Sequence, residues 1–158
     1  MGIVNSGSCV QGTNFVNSIH MNQFTENDLA GKWCRYCACE TEEVTGKEVY
    51  PDKPHLHEKL FFRCIKDHDH YVGRYEGSGR SLGIIADAHL RKLKMEGHAN
   101  FDPLWKGDSS VFKTRQEAYQ WLSGLMELPK ERTHFGMFNE EMCIKAIAFC
   151  RQCLNQRQ

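Results

Sequence analysis

No stretch of this chain stays apolar for the roughly 20 residues that a membrane-spanning helix needs, so no segment is read as crossing a bilayer. The first residues also lack a basic segment followed by an apolar core, and no secretory leader is expected there. An excess of charge is missing too: Lys and Arg total 20, Asp and Glu total 20, and the net charge is zero. Proteins built to grip phosphate backbones carry a positive excess, so nucleic-acid binding is expected only if the charge is polarised onto one face. Several catalytic signatures are absent as well. Neither H-E-x-x-H nor G-x-S-x-G occurs, and no H-x-E precedes the Pro-Cys-x-x-Cys of a zinc deaminase.

What is present reads as a globular protein. Hydrophobic residues make up 41% and charged residues 25% of the 158 positions, which argues against wholesale disorder. A chain of this length is expected to form one domain that buries about two-thirds of its unfolded surface. Residues 1–23 are rich in Asn, Ser, Gly and Gln and read as a flexible arm, leaving 24–158 as a single zinc-stabilised globular domain. The arm carries an address-like pattern. Met1-Gly2-Ile3-Val4-Asn5-Ser6 fits the rule for N-myristoylation at Gly2, and Cys9 offers a second anchor by palmitoylation. The expected location is cytoplasmic, with membrane association through Gly2 acylation and the role of a tethered adaptor as one functional alternative.

Strand signals fill the first half. Trp33 to Cys37 reads as a strand or a metal knuckle, and Pro51 to Pro54 as a loop. The apolar run Leu60 to Ile65 is the clearest strand, pairing with Tyr71 to Tyr75 through a turn at Lys66 to His70. Leu82 to Met95 keeps a helical stripe through Leu82, Ile85, His89, Leu90 and Leu93. Thr114 and Glu117 make a capping box for a helix from Arg115 to about Leu128, stopped by Pro129. A last helix opens at Asn139 and runs through Cys153, with Cys143 and Cys150 at core spacing. The expected class is α+β: a small antiparallel sheet with a zinc-binding knuckle in the first half, and two C-terminal helices packed on it.

Eight cysteines in a chain without a leader are expected to be thiols or metal ligands rather than disulfides. Zinc takes four Cys or His ligands in a tetrahedron, and two ligands spaced by two residues grip it from one tight turn. Cys34 and Cys37 supply such a pair, and Cys64 with His68 supplies a second at a strand end. His70 and His57 are alternates for the fourth position, the latter giving the rival set Cys34, Cys37, His57 and Cys64. Four protein ligands leave no open position for water, so the Zn2+ is expected to be structural.

Arg74-Tyr75-Glu76-Gly77-Ser78-Gly79 fits R-x-x-G-x-G and resembles the signature of GNAT-type acetyltransferases. The resemblance covers about 20 residues. It implies a turn whose amides cradle the pyrophosphate of acetyl-CoA at a helix N-terminus, with Arg74, Gly77 and Gly79 binding the cofactor. Short basic segments at Arg91 to Lys94 and Lys130 to Arg132, with Tyr71, Tyr75, Trp105 and Trp121, are the material for a polarised RNA-binding face. The leading expectation is a non-enzymatic, zinc-binding regulatory or accessory protein that acts by binding a protein or an RNA. A viral accessory factor, such as a suppressor of silencing or innate immunity, would suit that style. An acetyl-CoA-dependent acyltransferase is the alternative.

Overall fold

The computed structural model describes residues 24–157; the Gly2 and Cys9 lipidation positions lie outside the described residues. Four strands form one antiparallel sheet in the order β1-β2-β3-β4. They are β1 (Trp33–Cys34), β2 (Cys39–Thr45), β3 (Leu60–Cys64) and β4 (Tyr71–Gly73). Short helices α1 (Glu26–Leu29) and α2 (Gly46–Val49) flank the first hairpin. Three longer helices follow: α3 (Ala88–Phe101), α4 (Arg115–Met126) and α5 (Glu140–Asn155). The α+β expectation, strands first and helices after, is what the chain adopts. Among the described residues no helix is long and apolar enough to cross a membrane.

Strand alternation sets up the site. On β3, Phe62 and Cys64 turn to one face and join Val72, Ile85, Cys34 and Cys39 in a small buried cluster. Phe61, on the other face, meets Tyr50 and Tyr71 edge-on, with ring centroids 5.8 and 5.9 Å away. The second and larger core belongs to the helices, where Leu90, Phe101, Leu122, Phe135, Phe138 and Ala146 are all buried. Cys143 and Cys150 lie inside it, and burial pushes both thiols up to about 12.

The stretch expected to start a helix at Leu82 is extended instead, and α3 opens only at Ala88. Single bridges tie Ser81 to Arg74 and Ala86 to Tyr71, so this stretch prolongs the sheet. Its alternation explains the apolar pattern: Ile84 and Ala86 face the helical core while Ile85 faces the sheet cluster. Two further constraints keep it out of a helix. Gly83 runs against another backbone, where a Cβ would lie 1.9 Å from the Gly136 carbonyl oxygen, and Ile84 N donates to that same oxygen at 3.0 Å. Asp87 then starts the helix, its carboxylate accepting from Leu90 N at 2.8 Å.

Helix α4 begins where the capping signal places it. Thr114 Oγ1 accepts from Glu117 N at 3.1 Å, while the Glu117 carboxylate reaches past the cap to Lys113 N at 2.9 Å. Thr114→Ala removes one of these and should lower stability by about 1 kcal/mol, read as a shift of the urea midpoint at unchanged slope.

Candidate metal centre

Two hairpins build the site from opposite sides. In the first, Cys34 and Cys39 face each other across the β1–β2 pair, and the chain turns through residues 35–38 between them. Ala38 adopts a left-handed φ of 51°, which closes the loop and turns Cys37 back beside Cys34. In the second, β3 and β4 pair Arg63 with Tyr71, so one step further Cys64 stands opposite His70. Cys64 N donates to His70 O at 2.8 Å and seals the base of that hairpin.

The ligand atoms of Cys34, Cys37, Cys64 and His70 all lie within 4.8 Å of one another. His70 Nδ1 is 3.5 Å from both the Cys34 and the Cys37 sulfur. A tetrahedral ion with metal–sulfur bonds of about 2.3 Å and a metal–nitrogen bond of about 2.05 Å would have S···N edges of about 3.6 Å. The spacing therefore fits such an ion. Cys34 and Cys64 are completely buried, and Cys37 and His70 partly so.

The surroundings suit a thiolate centre. Burial opposes ionisation of Cys64, but the backbone N–H groups of Asp67 and Lys66, 3.3 and 3.4 Å from its sulfur, outweigh it together with neighbouring thiols. The net result brings Cys64 down to about 6, whereas burial holds Cys34 up at about 12. Asp67 Oδ2 stands 3.5 Å from His70 Nε2, which favours a proton on that nitrogen and leaves Nδ1 free to coordinate.

A family of zinc-finger-containing domains matches residues 30–153. The chain belongs to that family. No curated protein and no solved structure matches it. The matched span begins just before β1 and ends inside α5, so the zinc-finger-containing domain takes in both the Cys/His cluster and the helices packed behind it.

The other residues singled out from the sequence are placed as follows. His68, the expected fourth ligand, sits at the exposed tip of the second hairpin with Nε2 3.8 Å from Glu42 Oε1, while His70 occupies the position in the cluster. Hairpin geometry is the reason: the residue across from Cys64 shares its face, and the residue at the tip does not. His57 turns away to the Pro51 carbonyl oxygen at 3.0 Å. Cys39 stands beside the four with its sulfur 3.4 Å from that of Cys64.

The Gly77-Ser78-Gly79 loop closes a turn in which Tyr75 N donates to Arg80 O at 2.8 Å and Gly79 N to Tyr75 O at 3.1 Å. The next helix starts at Ala88, so the turn lacks the helix N-terminus that the acetyltransferase resemblance implies. Arg74 is engaged by Glu43 across the sheet.

Arg91 belongs to the site's support, a role its sequence neighbourhood did not signal. From the first turn of α3 its guanidinium bonds Asp69 Oδ1 and the Ala86 carbonyl oxygen, each at 2.7 Å, and lies 4.0 Å over the Tyr71 ring. It thereby clamps the hairpin that carries His70. The only hint in the sequence was an arginine one helical turn after the Asp87 cap.

Proposed function

We propose that Cys34, Cys37, Cys64 and His70 hold a structural Zn2+, and that the domain is a non-enzymatic binding module presenting its surface to a protein or RNA partner. The observation that carries this reading is the pair of 3.5 Å distances from His70 Nδ1 to Cys34 and Cys37, inside a group of four whose ligand atoms lie within 4.8 Å. Bound zinc would supply cross-linking between the two hairpins. Three thiolates and an imidazole complete a tetrahedron, which leaves no coordination position for a substrate or an activated water. The chain's own groups complete the arrangement. Lys66 and Asp67 amides share the negative charge on Cys64, Asp67 orients His70, and Arg91 fixes the loop between them.

Elemental analysis of protein purified without added metal should give one zinc per chain, with His70→Ala lowering occupancy far more than His68→Ala or His57→Ala. A fully folded wild-type sample containing no metal overturns the reading.

A further inference from the structure

A cleft of about 760 Å³ opens on the helical side, between α3, the first turn of α4 and residues 130–136. Its volume is that of a small-molecule site. Three separate stretches send basic side chains into it. Lys94 and His98 come from α3, Arg115 from α4, and Lys130 and His134 from the connecting segment; burial lowers both imidazoles, so the cations are Lys94, Arg115 and Lys130. Among the described residues that line it, Glu131 is the sole carboxylate. A chain of zero net charge has thus gathered positive groups at one place, the polarisation that binding an anion requires.

These cations are poorly neutralised. Arg115 and Lys130 make no ion pair among the described residues, and Arg115 lies over the Tyr119 ring at 5.3 Å. Lys94 points inward and donates to the Gly136 carbonyl oxygen at 3.0 Å, a contact that solvates the ammonium without cancelling its charge. Burial brings Lys94 down to about 8. Burial, and after it the charge of Lys94, lowers His134, so this imidazole offers the cleft a neutral ring. An anion entering this partly desolvated setting gains more than it would on an open surface. Beside the cations stands the ring of Tyr75, which is 55% exposed, whereas Tyr119 is taken up by Phe101, 4.5 Å away between ring centroids, and by Arg115. Exposed rings next to phosphate-binding groups are how proteins stack bases.

We infer that this cleft binds a nucleotide, its phosphate held by Arg115, Lys130 and Lys94 and its base stacked on Tyr75. The nucleotide is either free or one unit of a single-stranded RNA, since both present the same phosphate and planar base. The inference rests on the reading of the domain as a binding module and names the chemistry of its partner.

The test uses the metal-loaded full chain and four probes: adenosine monophosphate, uridine monophosphate, an unstructured oligoribonucleotide and inorganic phosphate. Affinities are measured by titration calorimetry at low salt. Arg115→Glu and Lys130→Glu are the variants. Both side chains are exposed, and a carboxylate in the first turn of α4 suits the helix dipole, so folding is retained. A nucleotide probe should bind more tightly than phosphate, and each charge reversal should weaken it by about tenfold or more. An oligonucleotide that outcompetes the mononucleotides assigns the ligand to RNA, and equal affinities assign it to a free nucleotide. Binding by none of the probes overturns the inference, as does phosphate binding as well as the nucleotides, or affinity untouched by both reversals. Zinc is counted on the same samples. A zinc-loaded protein that ignores every probe removes the nucleotide and leaves the zinc-stabilised module standing, whereas a folded, metal-free protein removes the module itself.

Discussion

Cys64→Ser should abolish metal binding and unfold the strand-rich half of the protein. Serine nearly matches cysteine in size, so the variant opens no cavity; what it removes is a thiolate. Cys64 receives the amides of Lys66 and Asp67 and stands 3.4 Å from the Cys39 sulfur. A structural zinc site contributes about 10–16 kcal/mol of apparent folding free energy, against a total of about 5–15 kcal/mol for a typical domain. The sheet has little to replace it with. Its buried cluster consists of Cys34, Cys39, Phe62, Cys64, Val72 and Ile85, and half of those residues are cysteines. A strong chelator should reproduce the variant's behaviour, and zinc should reverse it for the wild type alone. Cys39→Ser is the control: it lies outside the group of four and should keep its metal with a modest loss of stability. The measurements are metal content, far-ultraviolet circular dichroism and thermal melting. A Cys64→Ser protein with wild-type melting behaviour would show that the cluster does not hold the sheet together.

The second large effect lies in the helical core. Phe135→Ala should cost about 3–5 kcal/mol. The ring is fully buried and packs against Phe138 and His98, with centroids 5.3 and 5.1 Å away. It also lies directly on the α3 backbone at Gly97, where a Cβ would sit 2.2 Å from the Phe135 Cε1 atom. Helix backbone cannot collapse into the space the ring vacates, so the cavity persists and the cost falls at the upper end of its range. Guanidinium denaturation of the zinc-loaded protein measures it, and a loss below about 1 kcal/mol would contradict the packing described. The folded fraction should keep its full metal content, because Phe135 belongs to the helical core and not to the sheet cluster. Together the variants distinguish a metal-dependent half from one that depends on apolar packing.

Local signals carried much of this architecture. Within the apolar run Leu60 to Ile65, Leu60–Cys64 is a strand, the turn at Lys66 to His70 is a hairpin, and Thr114 and Asn139 stand at the starts of α4 and α5. Each of those features depends on residues within a few positions of one another, which is the range over which caps, turns and alternation act. The stretch from Leu82 to Ala86 was misleading because buried residues facing two cores in turn imitate a helical stripe. Its extended shape comes from Gly136, more than 50 positions away in the chain, and from the edge of β4.

The metal centre divides in the same way. Cys34-x2-Cys37 marks half a site by spacing alone, because a tight turn suffices to bring two thiols together. That Cys64 and His70 stand beside that pair, and that His68 faces Glu42, follows from the register of β3 on β4, and register belongs to the sheet. The separation of Arg91 from Lys94 has the same origin. The two are close neighbours in one basic run, yet the packing of α3 sends one to brace the His70 loop and the other into the cationic cleft. Composition and short-range pattern determined that this chain would be an α+β protein with a cysteine-rich knuckle. Which histidine stands with the three cysteines and which basic residues line one cleft was decided only where the hairpins and helices meet, since distances between remote residues are set by packing.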